Sequence, residues 1–271
     1  MEPAPRLAEA VGLRPENLWL KRDDLTGLAA GGNKIRKLEW TVGAAVADGV
    51  DTLITTGAPQ SNHARLTAAA AARLGLDVVL VFPGARSAPE GNLLLDDLLG
   101  ADVVWAGEGS LDAVAAEAAD RCRARGRRPS IIPFGGSNAV GAHGYRIAAQ
   151  EIVDDRPDVD HVVCALGSGG TMAGLVAGLG ADRVLGVHTG AVYDPRVQVA
   201  GLLADMGEVI DPAALRIRSD QVGDGYEVLT PGWSHARHGS TVRGARPRPD
   251  LHRPCPRRTR RGGARWLDRS R

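Results

Sequence analysis

Lys34 is where this chain could do covalent chemistry. It closes the glycine-rich stretch 25–34 (LTGLAAGGNK) and opens the helix-like pattern 34–39 (KIRKLE). The chain holds three lysines, Lys21, Lys34 and Lys37, against thirty arginines, a bias that would have converted a lysine needed only for its charge. An amine can lose its proton and condense with a carbonyl, whereas a guanidinium does neither near neutrality. Gly31 and Gly32, just before Asn33, let the backbone approach a ligand where a side chain would block it. A solvated charge at a helix start is the competing reading.

Other stretches could hold what such an amine acts on. In 165–174 (ALGSGGTMAG) an apolar run ends in glycines and a threonine where a helix begins. Amide groups at a helix start, with the positive end of its dipole behind them, bind a phosphate without any cationic side chain. The stretch lacks the third glycine of a dinucleotide fingerprint and the Lys-Ser/Thr of a nucleotide loop, and a tight strand-to-helix turn is the alternative. Gln60, Ser61, Asn62 and His63 open an alanine-rich helix, where polar residues also serve as caps. The segment 132–138 (IPFGGSN), with Gly141 and Gly144, reads as a hinge that shapes a cleft. His63, His143 and His188 are isolated, and Cys122, Cys164 and Cys255 have no paired spacing, so neither a zinc site nor a disulfide framework is expected. Such cysteine usage fits a reducing compartment.

Residues 19–27 (WLKRDDLTG) followed by 31–39 (GGNKIRKLE) resemble the lysine segment of the D-cysteine desulfhydrase and 1-aminocyclopropane-1-carboxylate deaminase family. That family is a branch of the fold-type II pyridoxal 5'-phosphate (PLP) enzymes, and the resemblance runs collinearly through 225–231 (GYEVLTP). It implies PLP as cofactor, Lys34 as the lysine that carries it and returns as the base, and Gly167, Ser168, Gly169, Gly170 and Thr171 as its phosphate contacts. By the same resemblance Asn62 meets the cofactor's phenolic oxygen, Ser61 lies against the substrate carboxylate with Gln60 beside it, and Tyr226 belongs to the substrate pocket. The implied reaction is α,β-elimination on a small D-amino acid, D-cysteine giving pyruvate, sulfide and ammonia. Deamination of 1-aminocyclopropane-1-carboxylate or another PLP lyase reaction is the alternative within the class. An inactive remnant of the fold with a basic, phosphate-seeking tail is the alternative outside it. The implied assembly is a homodimer acting in amino-acid metabolism on a small amino-acid substrate, with no nucleic-acid or membrane partner. A bulky residue at Gly169 is expected to weaken cofactor binding well before it unfolds the chain.

These residues need a scaffold that delivers loop amides and one amine to the same crevice. Apolar runs near 17–21, 51–56, 77–82, 102–105, 130–134, 161–166 and 183–188 read as strands. Helical spacing near 34–47, 59–74, 90–99, 111–125, 138–153, 170–179 and 196–206 separates them, with a further helix at 6–11. Strands joined by helical crossovers imply parallel sheet with helices on both faces, an α/β fold. The resemblance implies the tryptophan synthase β-like arrangement of two open α/β domains: 1–38 with 150–232 as the larger, PLP-binding one, and 39–149 as the smaller. No apolar span of membrane length and no leader pattern stands out, so a cytoplasmic protein is expected.

Residues 233–271 break the pattern. They carry twelve arginines and two aspartates, a net +10, which leaves 1–232 of this +1 chain at −9. Relatives of this type end near D-P-x-Y-T-G-[KR]-[AS], whose tyrosine stacks on the cofactor ring, and no such string occurs here. Reading the codons of 248–258 (RPDLHRPCPRR) one nucleotide later with GC-rich usage permits D-P-T-Y-T-G-R-A-L-A. The tail therefore reads as the product of a shifted frame, disordered and leaving the C-terminal part of the fold incomplete. The recovered Tyr-Thr pair favours the desulfhydrase branch, because the deaminase branch has glutamate after that tyrosine. A one-nucleotide frame correction near codon 232 is expected to raise both PLP affinity and D-cysteine turnover from low values. Re-sequenced DNA with no frame encoding the motif, or full turnover by the chain as it stands, would contradict this.

Overall fold

The computed structural model describes residues 1–223. Tyr226 and the arginine-rich segment lie outside the described residues. A short antiparallel ribbon of β1 (Glu2–Pro3) and β2 (Trp19–Leu20) brackets α1 (Pro5–Ala10). Two 3-10 turns, Asp23–Leu25 and Leu28–Ala30, then lead into α2 (Ile35–Ala47). From there strands and helices alternate: β3 (Thr52–Thr56), α3 (Asn62–Leu74), β4 (Asp77–Phe82), α4 (Asn92–Leu98), β5 (Asp102–Trp105), α5 (Leu111–Ala124) and β6 (Pro129–Ile132). A second run follows with α6 (Ala139–Asp155), β7 (Val162–Leu166), α7 (Gly170–Leu179), β8 (Val184–His188), α8 (Pro195–Asp205) and β9 (Arg216–Arg218).

The first run folds into a four-stranded parallel sheet in the order β5-β4-β3-β6. Thr52–Thr56 is buried at every position because both faces are covered. Leu53, Leu80 and Phe82 pack with Leu38, Val42, Leu66 and Leu93 from α2, α3 and α4, while Ile54 and Val81 meet Ala115, Ala118 and Ala119 of α5. Burying such side chains contributes roughly 1.5–3 kcal/mol each. The second run forms a parallel sheet in the order β7-β8-β9, with Leu166 and Val184 in a core shared by α6, α7 and α8. Val163 alternates with the buried Leu166 side of β7 and is 63% exposed.

The helices between the sheets touch almost backbone to backbone. A Cβ at Gly144 of α6 would fall 1.9 Å from the Arg36 carbonyl oxygen of α2, and one at Gly174 of α7 would fall 2.2 Å from that of Ala142. Polar bonds fasten the same junction. Arg36 grips Glu151 with two hydrogen bonds of 2.8 and 2.9 Å and Asp23 with a third of 2.8 Å, and Tyr145 Oη donates to Asp23 at 3.0 Å.

Most expected elements form within one or two residues of their pattern. The strand expected to reach 134 stops at Ile132, since Pro133 has no N–H for the ladder and 134–136 turn as a 3-10 segment with Gly135 at φ +64°. The helix expected from 90 starts at Asn92, after Gly91 at φ +58°. The expected boundary at 149/150 falls within α6, whose Ala142 to Ile152 face packs in the second core.

One buried carboxyl stands out in the first core. Asp96 on α4 is fully buried and neither of its oxygens has a hydrogen-bond partner. Burial pushes its pKa up to about 7, partly offset by the charge of Arg65. A carboxyl whose folded-state pKa lies above the ordinary 3.8 holds its proton more tightly when folded. Its contribution is therefore complete below about pH 4 and lost as the pH rises through 7. Thermal melts of Asp96→Asn should match wild type near pH 4 and exceed it above pH 7. A difference constant across that range would contradict the buried-acid assignment.

Candidate active site

The loop before Lys34 is built from backbone that side chains resist. Ala29, Ala30, Gly31 and Gly32 all have positive φ, 42°, 67°, 72° and 143°. For the two alanines this costs about 1–2 kcal/mol each. Gly31 is obligatory, because a Cβ there would sit 2.1 Å from the Asp24 carbonyl oxygen. Thr26 Oγ1 brackets Gly32, accepting from its N–H and donating to its carbonyl, both at 3.0 Å. From the other side, Arg65 of α3, 1% exposed, donates to the carbonyls of Ala29 and, at 2.9 Å, Gly31. Hydrogen bonds from a charged donor contribute about 1.5–3 kcal/mol, enough to offset the strain.

This loop sets Lys34 at the start of α2 in a crevice of about 220 Å³, whose other wall is Ala165 to Gly169 with Thr171, Met172 and Thr189. Lys34 Nζ donates to Asn33 Oδ1 at 2.9 Å, and Asn33 Nδ2 reaches Thr171 Oγ1 at 3.5 Å. The lysine loop and the glycine loop thus meet through one asparagine, in a contact between residues 138 apart in sequence. Burial pushes the Lys34 amine down to about 8, so far more of it is unprotonated and nucleophilic near neutral pH than of an ordinary lysine, though the protonated form still predominates at pH 7.

The glycine loop forms a cup at the N-terminus of α7. Gly169 takes φ +92° and offers no side-chain cap, which leaves first-turn amides for a ligand. Gly170 N–H donates to Ser137 Oγ at 3.1 Å, and Ser137 and Ser168 hydroxyls lie 2.7 Å apart. Lys37, one turn along α2 and 1% exposed, donates to Ser137 Oγ at 2.9 Å and to the Gly135 carbonyl at 2.8 Å. Burial and the neighbouring Lys34 charge hold its pKa well below the ordinary value. The 132–138 segment is therefore more than a hinge, since it closes the back of the cup.

Gly169 does not behave as expected from sequence. A Cβ there would press Leu202 and Gln198 of α8 at 3.1 and 3.2 Å, at a φ that side chains resist. A bulky replacement would thus damage packing as well as the cup. At Gly167 an added Cβ meets only ordinary contacts, 3.8 Å from Thr189 and 3.9 Å from Ala191.

Ser61 and Asn62 stand apart from this crevice, in the first turn of α3. Ser61 Oγ accepts from Ala64 N–H at 3.2 Å as a helix cap. Asn62 Oδ1 accepts from Arg65 at 3.1 Å and from Asn92 at 3.4 Å. Gln60 turns away, donating to the Glu90 carbonyl at 2.9 Å and accepting from Asn92 N–H at 2.8 Å. His63 is buried with Nε2 2.8 Å from Thr55 Oγ1. Because Thr55 gives its own hydrogen to the Ile132 carbonyl, Nε2 carries the imidazole proton. Burial and the two lysine charges push His63 down to about 3, so the ring stays neutral. His188 meets the Val192 carbonyl at 3.0 Å, and His143 lies tilted against Trp40, with ring centroids 5.4 Å apart. Among the described residues no three metal-ligating side chains gather, and no helix is long and apolar enough to cross a membrane.

Sequence reasoning did not single out Lys37, Arg65, Ser137 or Thr189. Lys37 carried one signal, being another of three lysines in an arginine-biased chain. The crevice suits an anionic aldehyde: a neutralisable amine and a second buried amine face an amide cup, and no acidic residue lines the walls. PLP, an aldehyde with a phosphate, has that chemistry.

Comparison with known proteins agrees. The model of the pyridoxal-phosphate dependent enzyme family matches residues 1–232. A putative 1-aminocyclopropane-1-carboxylate deaminase of Pyrococcus furiosus is 40% identical over 226 residues, 79% of this chain and 68% of that protein. A D-cysteine desulfhydrase of Klebsiella pneumoniae is 46% identical over 190 residues, 66% of this chain and 57% of that one. The chain thus spans between about half and two thirds of the length of the curated relatives it matches. The crystal structure of an ACC deaminase homologue superposes with a TM-score of 0.70 at 36% identity, over 80% of this chain and 68% of that one. Threonine deaminase isoform 2 of Solanum lycopersicum, 21% identical with a TM-score of 0.56, shares the fold. With a lysine amine and an amide cup in one crevice and a family match across 1–232, the chain belongs to the pyridoxal-phosphate dependent enzymes and has their fold-type II α/β architecture.

Proposed function

We propose that this protein is a PLP-dependent lyase that eliminates the β-substituent of a small D-amino acid, D-cysteine giving pyruvate, sulfide and ammonia. The observation that supports it best is the buried Lys34 amine joined through Asn33 to Thr171 of the amide cup. When bound, PLP supplies an electron sink for the bond that breaks at the substrate α-carbon. The chain's own residues then have separable tasks. First-turn amides of α7 fix the phosphate end, with Ser137 holding Ser168 and Gly170 in place. Lys34, kept near pH 8 by burial, gives up and takes back a proton at Nζ within the working range. Asn33 fixes the direction of that amine. Ser61 and Asn62, at the N-terminal end of α3, are assigned to the substrate carboxylate and the cofactor's phenolic oxygen by resemblance. Similarity to both a D-cysteine desulfhydrase and a putative deaminase supports a lyase of this family, and the Tyr-Thr pair in the shifted frame favours D-cysteine.

Borohydride reduction in the presence of PLP should attach the cofactor to Lys34, and Lys34→Ala should abolish both the adduct and sulfide release from D-cysteine in the frame-corrected chain. An adduct that moves to Lys21 or Lys37 with turnover retained would overturn the assignment. Release of ammonia from 1-aminocyclopropane-1-carboxylate with no sulfide from D-cysteine would instead select the deaminase reading.

A further inference from the structure

We propose that Arg65 is the positioning residue of the lysine loop: its buried guanidinium clamps residues 29–31 in their left-handed path, and so decides where Lys34 Nζ stands and whether water reaches it. The proposal rests on the reading of Lys34 as the reactive amine. It comes from the geometry of a side chain described above only as offsetting the strain of that loop. Arg65 lies 31 residues beyond Lys34, on a different helix, yet its donors close on the Ala29 and Gly31 carbonyls and on Asn62 Oδ1. The first two acceptors belong to the strained turn that launches Lys34, and the third to the turn that carries Ser61 and Asn62. One planar fork therefore ties the lysine loop to α3 and to that helix's own first turn.

A merely structural arginine would need none of this. The turn it holds contains two alanines at positive φ, a conformation that relaxes unless the surroundings enforce it. Thr26 secures only Gly32, the last residue of that turn. Lysine cannot replace the fork, because an ammonium is a point charge whereas a guanidinium presents donors in fixed directions. The Arg65 charge is felt by Asp96, fully buried on the neighbouring α4, whose proton it helps to release. The titratable groups facing Lys34 are Lys37 on its own helix and His63 on α3, and substitution at Arg65 removes neither.

The test uses the full chain and compares wild type with Arg65→Lys, which keeps the charge and loses the fork. Arg73→Met, on the exposed last turn of the same helix, is the control. Two quantities are read: PLP affinity, and the pH midpoint for acetylation of Lys34 in the cofactor-free protein, followed by peptide mass. The expected result is a midpoint near 8 in wild type and the control, raised by at least one unit in Arg65→Lys, with PLP affinity at least tenfold weaker. Adding Ala29→Gly, which eases the turn, should restore at least threefold of that affinity and also rescue folding if Arg65→Lys alone does not fold. An unchanged midpoint and affinity, a lowered melting temperature with both readouts intact, or an Ala29→Gly change with no effect in the Arg65→Lys background would each overturn the proposal. The acetylation arm needs no cofactor, so it decides the role of Arg65 even if Lys34 proves not to hold PLP.

Discussion

A partly buried amine with no carboxylate against it is the constraint on which this structure turns. Burying a lysine amine is costly, and a half-buried cation such as Arg36 is paired with carboxylates, those of Glu151 and Asp23. Lys34 instead has an amide oxygen, Asn33 Oδ1, and its acidity rises accordingly. That leaves an amine able to react near neutral pH, beside amides that favour an anion. The loop strain, the buried arginine and the close helix contacts around α2, α6 and α7 all serve to hold this arrangement in place.

The two sheets share the work. The first run carries Asn62 on α3, the cup sits between β7 and α7 of the second, and Lys34 precedes both at the start of α2. Their junction is fixed by small residues, since Gly144 and Gly174 admit backbone contact that any larger residue would prevent. We propose the division into a small and a large domain on this distribution. The crevice at the junction is small, about 220 Å³, and polar on the side of Asn33, Ser168 and Thr171.

Sequence pattern was a good guide wherever the signal is local. Strand and helix periods placed the α/β alternation, because β-branched runs such as Thr52–Thr56 and alanine-rich runs such as Asn62–Leu74 differ in period along the chain itself. Lys34 and the glycine loop were visible because their chemistry is written in adjacent residues. Arg65 and Asp96 were not, because a charged residue in a helix reads as solvated until the partner that buries it is known. Ser137 was seen only as part of a hinge, since its contacts to Lys37, Ser168 and Gly170 span residues distant in sequence. Gly169 misled for a related reason: its loop was read as needing only its amides, and the packing of α8 against it was not visible.

The central claim is that Lys34 is a desolvated, reactive amine set beside an anion cup. Because the chain has only three lysines, selective isotope labelling of lysine side chains gives three resonances to follow. The account predicts that the Lys34 Nζ signal titrates near pH 8 and is the one displaced when PLP is added. A Lys34 signal that titrates at the ordinary lysine value of 10.5 and is unmoved by PLP would contradict it.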